Sequence, residues 1–415
     1  MRGFVRRVWP LTLRGTGALA LSVVGFVVAH EAGLIELVYF AALLVAVLVL
    51  SVISLWFTRR IDAVSRSLSP EVATVGREST VTVRIALPTS PGTWDDTVPA
   101  GLIARARGVF PAVGSAMRGG ERAVELRYTV EGRVRGIHPL GPFGLTVTDP
   151  FGLARRRLRL GGKTQVTVAP RVVDLPVFRG SSGETGGTRE TASTQLGQGA
   201  DNLVARPYAP GDSMRRIHWR ATAHRDTLMV RQEEEETSPE ATVILDRSAA
   251  QWSPEALRAP GADDAFETAV AAAVSIIARL VRDGYTVEVL DTDGAALAEP
   301  VPGGDLHEID ALATQFATLT ARRGDGIART AGMFAGHQTG PVIVVTGRLR
   351  VEDALSLAPL AHHSSMPVVI AASPSSDALA RLHDRGWHTG AAFSEAELGD
   401  AWETAMQRGA TRVGA

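Results

Sequence analysis

Residues 206–236, RPYAPGDSMRRIHWRATAHRDTLMVRQEEEE, bring together side chains that could do chemistry: Arg215, Arg216, Arg220 and Arg225, His218 beside Trp219, and the acidic block Glu233 to Glu236. One reading is a site for an anionic group, with the guanidinium forks as ligands and His218 as acid or base. The other is a buttress between domains, in which the arginines pair with the glutamates and Trp219 is the packing anchor. No nucleophile accompanies the cluster, and unaccompanied His and Arg clusters favour the buttress.

The elements that must hold these residues can be read around them. Tyr208 to Gly211 has turn chemistry, because Pro210 fixes φ and Gly211 tolerates positive φ. Asp212 then stands at a helix N-cap position, where its carboxylate can accept from free first-turn amides. The spacing predicts a helix over 213–224, with Ile217, Ala221 and His224 on one face and Arg216 and Arg220 a turn apart on an adjacent one. Leu228, Met229 and Val230 read as a strand that runs into Arg231 and Gln232.

The 415 residues suffice for two soluble domains plus membrane segments. A net charge of -1 argues against general nucleic-acid binding, and the absence of cysteine removes disulfides, thiol catalysis and cysteine-ligated zinc. Residues 1–60 read as a transmembrane hairpin. A segment over 15–29, completed by Leu11 to Leu13, and a second over 37–57 are apolar, with His30, Glu31 and Glu36 between them. Arg2, Arg6, Arg7 and Arg14 precede the pair and Arg59, Arg60 and Arg66 follow it, which places both ends in the cytoplasm by the positive-inside rule. No small-residue cleavage site follows the first segment, so a cleaved signal peptide is disfavoured, and the pattern around Arg6 and Arg7 is incomplete for a twin-arginine signal.

Residues 61–178 alternate in β fashion: Val81, Val83, Ile85 and Leu87, and later Val124, Leu126, Tyr128 and Val130, are separated by smaller or polar residues. With Gly and Pro punctuation this predicts an antiparallel sandwich. The two PFG triplets, at 142–144 and 150–152, read as turns, with Asp149 capping the second. Gly161, Gly162, Lys163 and Thr164 fail as a phosphate-binding loop, because Arg157 stands where the first glycine belongs and a strand pattern follows. Residues 179–200, rich in Gly, Ser and Thr, read as a flexible linker into a motif segment over 201–238.

From 239 to 415 strands and helices alternate: strands over 241–245, 285–290, 341–345 and 367–371, helices over 263–282, 307–319 and 351–362, and two more after Ser375 and Ser394. That order predicts a doubly wound, mostly parallel sheet whose ligand site lies at the strands' carboxyl ends, here Asp246, Asp291 and Thr346.

The run from Arg206 to Arg231, together with GRVRGIHPLGPFGLTVTDPFGL from Gly132 to Leu153, resembles the bacterial family called domain of unknown function 58 over nearly the whole chain. The resemblance implies a membrane-anchored β-rich region followed by a domain similar to von Willebrand factor A, encoded beside MoxR-type AAA+ ATPases and transglutaminase-like membrane proteins. It implies no reaction and no cofactor. Its motif supplies the binding candidates Tyr208, Gly211, Asp212, Arg216, His218, Trp219, Arg220 and Arg231. A von Willebrand A domain implies an Mg²⁺ site on a DxSxS loop, a threonine and an aspartate. Asp246 and Ser248 keep part of that loop, but Ala250 replaces its second serine, Gly347 stands where an aspartate could follow Thr346, and Arg247 and Arg348 add positive charge. A fold signature without tight metal binding is the expectation. The function this predicts is a membrane-anchored, non-catalytic adaptor or assembly factor that contacts protein partners, among them a MoxR-type ATPase. Its competitors are an enzyme acting on acidic or phosphorylated substrates through Asp212, His218 and Arg220, and a metal-dependent ligand-binding module.

Overall fold

The computed structural model describes residues 9–56, 64–86, 92–110, 123–178, 203–208, 214, 217, 219–225, 227–233, 239–324, 326–334 and 338–407. Two helices open the chain, α1 (Leu13–Ala32) and α2 (Ile35–Trp56), both long and apolar enough to cross a membrane. Thr12 caps α1 by accepting from the Gly15 amide, and Gly33 ends it at φ 67°, so His30 and Glu31 belong to the helix and the connector shrinks to two residues. Gly25 lets the helices meet closely: a Cβ there would stand 3.3 Å from that of Ala41.

The strands that follow are β1 (Val64–Ser69), β2 (Ala73–Thr74), β3 (Glu78–Ala86), β4 (Gly92–Asp96), β5 (Leu102–Ala104), β6 (Arg107–Phe110), β7 (Ala123–Gly132), β8 (Gly136–Leu140), β9 (Phe143–Thr148), β10 (Arg155–Leu160) and β11 (Thr164–Ala169). They form sheets of order β1-β3-β7-β5, β10-β9-β4-β6 and β2-β11-β8, antiparallel throughout except where β2 meets β11. The sequence alternation is realised: Val81, Val83 and Ile85 of β3 and Leu126, Tyr128 and Val130 of β7 are buried in a core shared with Trp94, Phe143 and Leu145 of the second sheet. Arg66, counted above among the cations flanking the hairpin, is instead buried, its fork held by Asp96 at 2.9 and 3.1 Å while the Tyr128 hydroxyl donates to the same carboxylate at 2.8 Å.

Beyond the central ribbon of β12 (Leu203–Pro207) and β13 (Met229–Glu233), with α3 (Trp219–Arg225) between them, comes the parallel unit. Its strands are β14 (Glu240–Leu245), β15 (Thr286–Asp291), β16 (Val342–Thr346), β17 (Pro367–Ala371) and β18 (His388–Ala391), in the order β15-β14-β16-β17-β18, every neighbouring pair parallel. The helices are α4 (Asp264–Arg282), α5 (Leu306–Phe316), the short α6 (Thr330–Met333), α7 (Val351–Leu357), α8 (Ser376–Asp384) and α9 (Leu398–Gln407). Asp263 caps α4 by accepting from the Phe266 amide, and the helix buries an Ala- and Val-rich face in the core. β18 is a strand that the sequence reading omits. Its Gly390 is required because a Cβ would strike the Ala401 carbonyl, so glycine lets α9 lie close on the sheet. The edge of β15 is covered by residues 296–301, which bridge it antiparallel at Val287–Val301 and Leu290–Ala296.

The β-rich region and the parallel unit are joined by two devices. Arg135, in the β7–β8 connection, is almost fully buried. Its guanidinium lies 5.2 Å from the Phe266 ring centroid, contacts Glu267 of α4 at 2.9 Å, and donates to the Leu319 carbonyl. Gly261 accommodates the approach: its φ of 77° suits glycine, and a Cβ there would run into Val134. The second device is the segment 169–178, whose Ala169, Leu175 and Phe178 enter the core of the parallel unit. Its backbone is fixed there by Val173 N–H donating to Ser275 Oγ (2.8 Å), Phe178 N–H donating to Asp283 (2.9 Å) and Trp402 Nε1 donating to the Pro176 carbonyl (2.9 Å).

The flexible linker expected over 179–200 lies outside the described residues. The expected packing anchor is not where the sequence reading puts it. Trp219 is 69% exposed, whereas Ile217, Met229 and Val230 of the same stretch are buried. Truncating Arg135 strands the half-buried Glu267 and empties a buried site, so Arg135→Ala is expected to lower stability by about 3 kcal/mol. Trp219→Ala is expected to stay within about 0.5 kcal/mol of the parent. Thermal unfolding of the detergent-solubilised full chain checks both.

Candidate functional site

The described motif helix is Trp219–Arg225; ahead of it Met214 sits in a 3-10 turn, and Ser213, where the spacing starts the helix, lies outside the described residues. Ile217 is already taken by an antiparallel bridge to Val230, and a residue paired as a strand cannot continue a helix. Tyr208 donates its N–H to the Leu228 carbonyl (2.8 Å), Met229 donates to Thr222 Oγ1 (3.0 Å), and His224 and Arg225 are exposed at the end of α3. Arg220 lies in α3 and Arg231 in β13. Gly211, Asp212, Arg215, Arg216, His218 and Glu234 to Glu236 fall outside the described residues.

The described polar cluster is at the carboxyl edge of the parallel sheet. There the strand order reverses between β14 and β16, which is where open α/β sheets form a crevice. Asp246 follows β14 and is fully buried. One carboxylate oxygen accepts from the Ser248 amide (2.9 Å) and hydroxyl (2.6 Å), and the other accepts from Thr346 Oγ1 at the end of β16 (2.9 Å). Burial pushes its pKa up to about 6. The three donors pull the other way without cancelling that effect, and the nearby Asp291 charge adds to the rise. Asp291, at the end of β15, accepts from Arg322 Nε (2.6 Å) and from the Thr292 amide (2.7 Å), and lies 3.6 Å from Arg247. Arg322 also pairs with Asp293 at 2.6 Å. The loop carrying Arg322 is tied to the Asp246 loop by Arg322 N–H donating to the Arg247 carbonyl (2.7 Å) and Ala249 N–H donating to the Arg322 carbonyl (2.8 Å). Beside these groups lies a cleft of about 120 Å³ lined by Ser248, Thr292, Asp293, Arg322 and Arg329.

Asp246, Asp291 and Thr346 therefore stand where the strand pattern places them, and Ser248 joins them. Arg322, Thr292 and Asp293 are additions that the sequence reading lacks, since no periodicity marks a loop arginine whose partners lie about 30 residues away. The residues do not fit a divalent cation. Both Asp246 oxygens are engaged by hydroxyl and amide donors, and Asp291 is neutralised by Arg322 and Arg247. An aspartate at 347 is sterically barred, because its Cβ would meet the Gln251 carbonyl and come 2.7 Å from the Trp252 ring. Arg348 is exposed and donates its amide to the Gln251 carbonyl. Among the described residues no group of three His, Cys, Asp or Glu is disposed to hold a metal.

The chain is thus a parallel α/β unit with a self-satisfied polar switch point, fused to a β-sheet region and preceded by two apolar helices. Residues 204–371, from the central ribbon through β17, match the model of a family described as "Protein of unknown function DUF58", and two apolar helices lie upstream of the matched region. No curated protein matches the chain.

The folded-state pKa of Asp246 lies above the ordinary carboxylate value, so the native state holds a proton that the unfolded chain releases between about pH 4 and 6. Stability contributed by this group is present at and below pH 4 and is lost as pH rises through 6, by about 3 kcal/mol in all. Asp246→Asn is expected to remove that part of the pH dependence, read as the difference between parent and variant denaturation midpoints across pH 4 to 7.

Proposed function

We propose that the protein is a membrane-anchored, non-catalytic adaptor or assembly factor that presents a rigid two-domain surface to protein partners. The observation that carries this reading is the state of the switch point, where open α/β folds place their ligands. Here Asp246, Ser248 and Thr346 are bonded to one another and Asp291 is bonded to Arg322, so the polar groups are spent on holding the loops together. The finer fold assignments belong to the same proposal. The β-rich region is a sandwich, because two four-stranded antiparallel sheets share one core. The parallel unit is similar to von Willebrand factor A, with Asp246 and Ser248 in its first-strand loop and Thr346 across from them. In this reading the two N-terminal helices are the anchor, and the arginines outside both ends of the hairpin set the soluble domains on the cytoplasmic side of the cell membrane.

The partner of this proposal is a MoxR-type AAA+ ATPase, with neighbouring membrane proteins in the same assembly, as the family resemblance implies. Cross-linking in intact cells followed by purification of the full chain from native membranes is expected to recover such an ATPase in near-stoichiometric amount. A reporter fused after Ala415 is expected to be active only in the cytoplasm. Recovery of the chain without an ATPase, or a reporter active only on the outer face, contradicts the proposal.

A further inference from the structure

Both ends of the helical hairpin land on one turn of the β-rich region. Thr12 donates its amide to the Leu153 carbonyl (2.8 Å) and its hydroxyl to the Gly152 carbonyl (2.6 Å), and Arg155 returns an amide hydrogen bond to the Pro10 carbonyl (2.7 Å). At the other helix, Arg156 Nη1 donates to the Leu55 carbonyl (3.1 Å), one of the carbonyls left open at the end of α2. The approach is close, since a Cβ on Gly15 would collide with the Leu153 carbonyl. Given the membrane anchor proposed above, on which this inference rests, residues 149–156 are held at the level where α1 enters the bilayer and α2 leaves it.

What the turn exposes there has a consistent chemistry. Phe151 is 59% exposed and Trp9, whose indole N–H donates to Thr16 Oγ1 (3.1 Å), is 44% exposed. Arg14 and Arg155 are exposed beside them, with an Arg14 guanidinium nitrogen 3.9 Å from where a Cβ on Gly152 would sit. The one carboxylate of the turn, Asp149, is buried and accepts from the Phe151 (3.0 Å) and Ala154 (2.6 Å) amides, so it offers no opposing surface charge. Aromatic side chains flanked by arginines match the polarity gradient of a headgroup layer: rings settle at its depth and guanidinium groups pair with phosphates.

We propose that the turn at residues 149–156 is a membrane-interface element that seats Phe151 and Trp9 among lipid headgroups and binds anionic phospholipid through Arg14 and Arg155. The turn then docks the β-rich region against the membrane and fixes its tilt. Each arginine is expected to favour the docked state about fivefold on an anionic surface.

The chain contains no cysteine, so Phe151→Cys carries a single environment-sensitive fluorophore in the full chain. The protein is reconstituted in nanodiscs of phosphatidylcholine alone, or with about a third phosphatidylglycerol. The expected result is a blue-shifted emission in the anionic discs only. The shift collapses at about 1 M salt, where the Debye length is ~3 Å. The docked population falls more than tenfold in Arg14→Gln/Arg155→Gln. A second label, at Leu43→Cys on the exposed face of α2, reports insertion of the hairpin. If the Leu43 label reads as hydrocarbon but the Phe151 label is the same in both discs, or unchanged by the double substitution, this proposal is overturned while the anchor stands. If the Leu43 label reads as water, the anchor and this proposal fall together. Inorganic phosphate that reproduces the shift in phosphatidylcholine discs at matched ionic strength identifies a discrete anion site and also overturns the lipid assignment.

Discussion

A buried guanidinium is tolerated only where its charge is met, and Arg135 is the contact on which the arrangement of this molecule depends. Burial lowers its pKa to about 10, and the opposing carboxylate of Glu267 keeps the charged form the stable one at neutral pH. The same burial acts in reverse on Glu267, raising its pKa against the pull of Arg135, so each group stabilises the ionised form of the other. Because Arg135 projects from the β-rich region and Glu267 from α4, that mutual dependence fixes the orientation of the two domains.

The remaining contacts extend this orientation in both directions along the chain. The segment 169–178 carries the β-rich region into the core of the parallel unit, where Phe178 packs edge-on to Tyr285 at 5.6 Å and beside Trp402 at 5.9 Å. The turn capped by Asp149 receives the start of α1, and Arg156 receives the end of α2. The order of the chain thus becomes a stack: apolar hairpin, β-rich region, parallel sheet. At the edge of that sheet where ligands would bind, hydroxyl, carboxylate and guanidinium groups are bonded to one another beside the small cleft.

Much of this was legible in the residues. The strand over 367–371 has the predicted ends, because a short β-branched run between a Pro and a Ser-rich turn permits little else. The alternation in β3 and β7 marks their buried faces, and the helix read over 263–282 stands as α4. Other features were not legible, for physical reasons. Arg135 looks like turn punctuation in GRVRGIHPL, and nothing local identifies a partner at Glu267 on a distant helix. Trp219 is large and apolar, but bulk alone does not decide whether a side chain has a surface to pack on. Its short helix leaves it outside. Helical spacing does not carry through Ile217, because its pairing with Val230 is a tertiary choice that overrides it. β18 was missed because its glycine reads as a breaker when it is there to admit α9.

The claim that the domains form one rigid body is tested most directly by a distance distribution between them. Thr129 of β7 and Glu308 of α5 are both exposed, and the absence of native cysteine lets Thr129→Cys/Glu308→Cys carry the only two spin labels in the full chain. Double electron–electron resonance on the reconstituted protein is predicted to give a single narrow distance that broadens when Arg135→Ala is added. A broad or two-peaked distribution in the protein with Arg135 intact would contradict the account.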